Sequence, residues 1–95
     1  TDSANNIYIA DESNDRIRKI SATTGIISTF AGTGIAGYNG DSIPAITSRI
    51  NFPCGLACNN NGDLFFADKI NHRIRKIYLK HHYISQFANS YSLNQ

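Results

Sequence analysis

The chain has 95 residues, and its content of 41% hydrophobic and 11% aromatic residues is that of a globular domain, which excludes a disordered segment. Its formal net charge of +2 excludes a strong long-range attraction to nucleic acid or anionic lipid. No apolar run approaches the roughly 18 residues that cross a bilayer. Because the sequence starts at Thr1 without a methionine, we expect a piece of a longer product.

The first predicted elements are three strands, near residues 6–11, 16–20 and 26–31. Each is a run of about five residues rich in β-branched and aromatic side chains, and clusters of Asn, Asp, Ser and Gly separate the runs, as in sheets joined by tight turns. The first run is apolar on both faces, whereas the second mixes charged residues with isoleucine. We therefore expect the first strand to be covered on both sides and the next ones to be wetter.

A connector of about residues 32–53 follows, longer than the ~12 to 15 residues usual for a structureless loop, so we expect an ordered surface feature. The six residues from Gly32 fit the expression G-x-G-x-x-G of dinucleotide-binding loops. Such a loop must open a helix, but residues 38–41 continue as loop and Pro44 follows. The glycines are therefore expected to provide positive φ angles, and we predict no cofactor.

Four more strands are predicted near residues 54–58, 63–68, 73–78 and 83–88. Cys54 and Cys58 lie in the first of these, where an extended chain separates their Cα atoms by about 13 Å. A disulfide requires roughly 4.4 to 6.8 Å, and the spacing does not match the paired cysteines of a zinc site. We expect no disulfide and a buried, hydrophobic Cys58.

The two groups of strands are copies of one unit. Ile7–Asp11 returns as Leu64–Asp68, 57 positions later, and Arg16–Ile20 returns as Arg73–Ile77 without a change of register. A duplicated structural unit explains this agreement. Each copy needs a neighbour to cover its apolar faces.

The repeated block Ala-Asp-x-x-Asn-x-Arg-Ile-Arg-Lys-Ile, at 10–20 and 67–77, resembles the signature of NHL repeats. The connector, with Gly-Tyr-Asn-Gly-Asp at 37–41, is similar to the connectors between blades of NHL proteins. The resemblance implies an all-β fold of four-stranded antiparallel β-propeller blades, here an incomplete propeller. Its expected parts are a partial first blade at about 1–31, the connector at about 32–53 and a second blade at about 54–89.

Each copy carries an acid and a base on either side of a four-residue turn, Asp11 with Arg16 and Asp68 with Arg73. Pairing of the strands as a hairpin would place the acid opposite the base. Such cross-strand pairs contribute about 0.2 to 1 kcal/mol and help to fix the register. We interpret these residues as structural pairs and predict no catalytic residue.

The strand that follows each of these turns is rich in basic residues, which we interpret as solvated charge of an outer strand. A positive stripe that binds phosphate backbones is the alternative. Recognition of single strands usually adds exposed aromatic side chains, but here the neighbouring positions hold isoleucine. The basic residues are Arg16, Arg18, Lys19, Arg73, Arg75 and Lys76.

The candidate binding site is the loop face of the blades. In a blade, the turn between the second and third strands opens on the same propeller face as the connector, and loops on a rigid scaffold commonly carry function. Asp41 with Asn39 would offer oxygen ligands to calcium, but one carboxylate is too few, so we predict no metal site. The candidates are Tyr38, Asn39, Asp41, Arg49 and Asn51 from the connector and Glu12, Asp15, Lys69 and His72 from the turns.

The predicted function is a non-enzymatic scaffold that binds a protein, peptide or glycan partner through this loop face. One alternative is a nucleic-acid-binding propeller. Another is a metal-dependent lyase or hydrolase, because related propellers place His and Asp around a central channel, but the inner strand at 52–59 has neither His nor a carboxylate. Uncovered blades would expose large apolar faces, so we also expect self-association of copies. The sequence indicates no particular compartment.

Overall fold

The computed structural model describes residues 5–59, 62–78 and 82–89, and residues 1–4 of the predicted first blade lie outside these ranges. Each predicted strand is present, with bounds that differ by at most one residue. The strands are β1 (Ile7–Asp11), β2 (Arg16–Ile20), β3 (Ile27–Ala31), β4 (Ile43–Pro44), β5 (Pro53–Cys58), β6 (Leu64–Asp68), β7 (Arg73–Tyr78) and β8 (Tyr83–Asn89).

The strands form two antiparallel sheets, with the orders β1-β2-β3 and β4-β8-β7-β6-β5. The predicted all-β fold is confirmed, and the two sheets are compatible with an incomplete β-propeller. Helical structure in the described ranges consists of 3-10 turns of three residues, and none of them is long enough to cross a membrane.

The connector contains a strand that the sequence pattern does not predict. β4 pairs with the outer strand β8, with Ile43 opposite Ile84 and Pro44 opposite Tyr83. The backbone N–H of Ser42 also donates to the Ile84 carbonyl at 2.7 Å. Proline is tolerated because β4 is an edge strand, where a missing N–H breaks no ladder bond. The second sheet therefore has five strands instead of the four expected for a blade.

The same turn links β1 to β2 and β6 to β7. In each copy a 3-10 turn, Glu12–Asn14 or Lys69–Asn71, is closed by a left-handed residue, Asp15 (φ 55°) or His72 (φ 56°). The backbone N–H of the left-handed residue donates to the first residue of the turn, at 3.3 and 3.2 Å respectively. The turn thereby places the acid that ends one strand opposite the base that begins the next.

The core lies where the two sheets and the connector meet. The apolar side chains buried there are the main force that joins the two copies, because burial stabilises by roughly 25 cal/mol per Å² of apolar surface. The rings of Tyr8 and Phe30 lie against the core and pack edge to face with each other, with their centroids 5.0 Å apart. The buried members are Ile17 and Ala31 from the first sheet, Ala45 and Ile50 from the connector, and Leu64, Phe66, Ile77 and Ile84 from the second sheet.

The two copies differ in how well one of their faces is covered. Leu64 and Phe66 are each 1% exposed, whereas Ile7 and Ile9, at the equivalent positions of the first copy, are 47% and 37% exposed. Side chains alternate along a strand, so Ile7 and Ile9 share a face, and Arg18 lies opposite Ile9 on it. We term Ile7, Ile9 and Arg18 the uncovered face of the first sheet.

Candidate functional site

The connector is fixed by backbone hydrogen bonds. The N–H of Gly32 donates to the Ala45 carbonyl at 3.0 Å, and the N–H of Thr33 donates to the Ser48 carbonyl at 3.0 Å, so the connector folds back on itself. The Arg16 guanidinium donates to the Thr33 carbonyl at 3.2 Å, which ties the connector to β2. The connector is thus an ordered element of the structure.

A buried arginine contacts the middle of the connector. The side chain of Arg75 is 0% exposed, and its two terminal nitrogens donate to the carbonyls of Arg49 (3.0 Å) and Gly40 (2.9 Å). Asp68, also 0% exposed, accepts from the same guanidinium at 3.2 Å, and an Asp41 oxygen lies 3.9 Å away. A buried charge is tolerated only when it is paired and hydrogen-bonded. The network therefore joins β6, β7 and the connector.

One further side chain and one backbone group extend this network. Asn71 Nδ2 donates to the Gly37 carbonyl at 2.7 Å and to Asp68 Oδ2 at 2.8 Å. Asp68 Oδ1 accepts from the N–H of Asn51 at 2.8 Å. We term Asp68, Asn71 and Arg75 the second clamp. Its hydrogen bonds to the connector go to three carbonyl groups and one N–H group, so they recognise main-chain atoms.

The burial of Arg75 corrects the interpretation of the basic residues as solvated charge. Arg73 also has internal partners, because it donates to Gln86 Oε1 at 2.8 Å and to the Asn71 carbonyl at 3.1 Å. Asp68 bonds to Arg75, although the register places Arg73 opposite Asp68. A diagonal neighbour on the same face of a sheet is within reach of a side chain as long as arginine.

The equivalent acid and base of the first copy also lie opposite each other but bond elsewhere. Asp11 accepts two hydrogen bonds from Asn14 Nδ2, at 3.0 and 3.1 Å, and Arg16 donates to Thr33 as described above. The turns therefore place acid and base in register, but in neither copy do the two side chains bond to each other.

Tyr38 links the connector to the arginines of β7. Its ring centroid lies 3.8 Å from the guanidinium carbon of Arg73 and 4.9 Å from that of Arg75, within the range of cation–π contacts. Its hydroxyl donates to Asp41 Oδ2 at 2.7 Å. Burial raises the pKa of Tyr38, and the hydrogen bond to Asp41 and the negative charge of that residue raise it further, against the opposing effect of the arginines. Tyr38 is therefore an oriented, neutral aromatic side chain.

The end of the connector meets both turns. The N–H of Phe52 donates to Asp15 Oδ1 at 2.8 Å, and the Phe52 carbonyl accepts from the N–H of Lys69 at 3.3 Å. The Asn51 carbonyl accepts from the N–H of Ile70 at 3.1 Å, and the Lys69 ammonium lies 5.4 Å from the centre of the Phe52 ring. The structure thus brings the candidates Asp15, Asn51 and Lys69 together.

The remaining candidates are exposed polar residues, and we term all exposed candidates together the exposed rim. Asn39 stiffens the connector, because its Nδ2 donates to the Thr47 carbonyl at 3.0 Å and its Oδ1 accepts from the N–H of Arg49 at 2.8 Å. In the described ranges, no group of three or more His, Cys, Asp or Glu side chains is placed to bind a metal. The half-buried candidates are Asp15, Tyr38 and Asn51, and the exposed ones are Glu12, Asn39, Asp41, Arg49, Lys69 and His72.

Two sequence motifs prove to be structural features. Gly32, Gly34 and Gly37 have φ angles of 93°, 87° and 145°, which confirms that these glycines serve the backbone of the connector. Cys54 and Cys58 are not joined in a disulfide, and Cys58 is half-buried against the core instead of fully buried.

Asn71 is not among the site residues predicted from the sequence, and Arg75 is predicted to be solvated although it is buried. The signal for both is present in the sequence, because Asp, Asn and Arg recur with the same spacing at 11, 14 and 18 and at 68, 71 and 75. In the second copy these three side chains form one hydrogen-bonded network, in which Asp68 accepts from both Asn71 and Arg75.

Comparison with known proteins identifies relatives of the chain, although no family model matches it. It is 40% identical over 71 residues to Protein SUPPRESSOR OF QUENCHING 1, chloroplastic, of Arabidopsis thaliana. It is 36% identical over 84 residues to NHL repeat-containing protein 2 of Bos taurus, and 38% identical over 72 residues to the Homo sapiens protein of that name. These matches cover 75%, 87% and 75% of this chain, which spans only 6%, 11% and 10% of the length of the relatives.

Proposed function

We propose that this chain, which is related to the NHL repeat-containing proteins, is a non-enzymatic β-propeller-type module that binds a protein, peptide or glycan partner on its connector side. The observation that carries the proposal is the second clamp, which fixes the backbone of the connector from inside while polar side chains around it stay exposed. A surface that is already ordered loses little conformational entropy on binding. The proposal assigns no catalytic or metal-binding residue.

The charges of the exposed candidates favour a polypeptide over a polyanion. Glu12 and Asp41 carry negative charge, and Arg49 and Lys69 carry positive charge on the same set of loops. A partner with both signs of charge fits such a surface, and complementary charges mainly set specificity and the association rate. Tyr38 adds an aromatic ring that is oriented by its contacts with Arg73 and Asp41.

Nucleic acid is the less favoured candidate because several of the repeated arginines have partners inside the protein. Arg16 donates to the connector, Arg73 donates to Gln86 and the Asn71 carbonyl, and Arg75 is buried. Contacts with phosphates would have to replace these hydrogen bonds. A nucleic acid would also produce a steep loss of affinity with added salt.

A site-specific photo-crosslinking experiment tests the proposal in the protein as it is made in its own cells. A photoreactive phenylalanine replaces Glu12 or Lys69, which are exposed and occupy equivalent positions in the two turns. The matched control carries it at Ala22, an exposed position in the turn at the other end of β2. We expect Glu12 and Lys69 to crosslink to the same polypeptide or glycan, and Ala22 not to.

Mass spectrometry of the crosslinked product decides the class of partner. Equal crosslinking from Ala22 and from the two candidate positions would show that the connector side is not the binding face. A crosslinked nucleic acid would replace the proposal with its alternative.

A further inference from the structure

The first copy contains the three side chains of the second clamp. Asp11, Asn14 and Arg18 stand 57 positions before Asp68, Asn71 and Arg75, on the same turn and in the same strand register. Ile9 lies opposite Arg18, as Phe66 lies opposite Arg75. We term Asp11, Asn14 and Arg18 the first clamp.

The first clamp is partly assembled. Asn14 Nδ2 donates to both carboxylate oxygens of Asp11, at 3.0 and 3.1 Å, much as Asn71 donates to Asp68 at 2.8 Å. The acid and the amide are thus held beside each other without a third partner. The turn alone is sufficient for this part of the geometry.

The first clamp differs from the second because its side chains bind no connector main chain among the described residues. The terminal nitrogens of Arg75 reach two carbonyl groups and Asp68, whereas the guanidinium of Arg18 has no hydrogen-bond acceptor within the described ranges, and its Nε is buried without one. The Nε of Arg75 is also unpaired, so the difference between the copies lies in the terminal nitrogens. Arg18 is half-buried where Arg75 is fully buried.

The position of the first clamp identifies what is missing. Arg18 belongs to the uncovered face of the first sheet, whose equivalent in the second sheet is covered by the core. In the second copy the main chain on the clamp passes through Gly37 and Gly40, whose φ angles of 145° and 120° favour glycine over other residues. Asp41 then lies 3.9 Å from the arginine. The complementary ligand is therefore a loop with two glycines three positions apart and an acid after them, followed by a second stretch that supplies one carbonyl and one N–H, as Arg49 and Asn51 do here.

We propose that the first clamp is a peptide-binding site for a segment of this connector type, supplied by a polypeptide outside the described residues. Arg18 donates to two of its carbonyl groups, Asn14 donates to a third, and Asp11 accepts from one of its N–H groups. The first clamp adjoins Glu12, which lies in the same turn as Asn14, whereas Lys69 lies in the turn of the second copy. The two proposals fail separately, because a crosslink from Lys69 that Arg18→Met leaves unchanged supports the proposed function alone.

Binding of a labelled peptide to the 95-residue chain tests the site. The probe is a synthetic peptide with the sequence of residues 37–51, and its affinity is measured by fluorescence anisotropy. We expect saturable binding to the unaltered chain and an affinity at least about tenfold lower for Asn14→Ala and for Arg18→Met, because each loses donors to main-chain carbonyls. Asn14 is exposed, so its replacement removes no buried contact, and circular dichroism of the variant checks that it is folded.

Two controls separate specific binding from other causes. Lys19→Met removes a neighbouring positive charge from β2 and should leave the affinity within about twofold, because Lys19 is not part of the clamp. A peptide with alanine at both glycine positions should bind more weakly, since those positions have positive φ angles.

Three outcomes would overturn the proposal. The first is the absence of saturable binding to the unaltered chain. The second is binding that Arg18→Met and Asn14→Ala leave unchanged, which would mean that the peptide exchanges with the chain's own connector at the second clamp. The third is self-association that Asn14→Ala abolishes, without any peptide binding, which would assign the first clamp to a second copy of the chain.

Discussion

Arg75 is a charged side chain with 0% exposure, and its partners decide whether it stabilises the fold. They are the carboxylate of Asp68 and the carbonyls of Arg49 and Gly40, which lie 26 and 35 positions away along the chain. A strand that alternates arginine with isoleucine normally indicates a solvated face, so the local pattern predicts exposure. Only the folded connector supplies the acceptors that permit burial, and its path cannot be derived from residues 73–78 alone.

Replacement of Arg75 by methionine should therefore destabilise the protein strongly. The substitution leaves the buried carboxylate of Asp68 without its cation and two connector carbonyls without donors. Loss of one partner of a buried ion pair costs about 3 to 5 kcal/mol. Urea denaturation followed by circular dichroism should show this decrease in the free energy of unfolding.

The chain contains its own control for this substitution. Arg18 occupies the equivalent position in the first copy, but it is half-buried and its terminal nitrogens have no acceptor among the described residues. Arg18→Met should therefore change the free energy of unfolding by less than about 1 kcal/mol. Equal decreases in the free energy of unfolding for Arg18→Met and Arg75→Met would contradict the distinction between the two clamps.

Tyr38 gives a second test at the residue scale, through its titration. Because its pKa is raised, the neutral phenol is favoured in the folded state relative to the unfolded one, whose pKa is about 10. The associated stability is complete below the unfolded pKa and is lost as the pH rises through the folded pKa. The chain has five tyrosines, so the phenolate absorbance of Tyr38 is obtained by difference from Tyr38→Phe.

Asp41→Asn provides the comparison for that titration. Removal of the negative charge that accepts the Tyr38 hydroxyl should lower the pKa of Tyr38 toward its ordinary value. A Tyr38 that ionises at or below the ordinary pKa in the unaltered chain would show that the phenol is not held as described.

At the scale of elements, the strands follow from local chemistry and the connector does not. The β-branched runs such as Ile7–Asp11 and their Asn- and Asp-containing turns act over short distances, so their bounds agree with the sequence to within one residue. β4 has two residues, one of them Pro44, and lacks an alternating pattern. Its pairing depends on β8, which lies about forty positions away, and long-range contacts of this kind leave no local signal.

The start of the connector should be intolerant of a side chain at Gly32. A Cβ atom there would approach the Asp15 carbonyl oxygen to 2.5 Å and the Arg16 Cα to 3.1 Å, and the φ angle is 93°. Backbone atoms cannot move aside as a flexible side chain can. We expect Gly32→Ala to cost about 1 to 2 kcal/mol for the left-handed backbone and about 1 to 3 kcal/mol more for the close contact.

Gly25→Ala is the matched control. Gly25 has a similar φ angle of 71°, but a Cβ atom there would meet nothing within 4 Å. Only the backbone cost of about 1 to 2 kcal/mol is expected. Thermal and urea unfolding of both variants would measure the difference, and equal losses would refute the close packing of Gly32 on the turn.

At the scale of the whole molecule, the repeat predicts that the two sheets pack on each other and that an apolar face is left exposed. Leu64 and Phe66 are covered because the first sheet and the connector pack against them, and Ile7 and Ile9 are open because no equivalent neighbour lies on them in the described ranges. The duplication in the sequence is enough to predict that each copy needs an adjacent copy to cover its apolar faces. Which face stays exposed to solvent cannot be predicted from the duplication, because it depends on the direction in which one copy packs on the next.

Self-association of the chain should depend on the uncovered face. Ile7→Lys together with Ile9→Lys places two charges on that face and should shift the chain toward the monomer in sedimentation and light scattering. The control is Ile35→Lys, because Ile35 is 58% exposed but lies in the connector. If the unaltered chain is monomeric at high concentration, the uncovered face does not drive association.

The hydrogen bonds from the second clamp to the connector end on amide and carbonyl atoms, and this has a consequence for how the protein can diversify. Contacts with main-chain atoms do not depend on residue type, except where the φ angles of Gly37 and Gly40 require glycine. The outward-facing side chains between and beyond these glycines can change without loss of the scaffold. One invariant framework can therefore carry many different recognition surfaces, so related repeats can share an architecture and still bind unlike molecules.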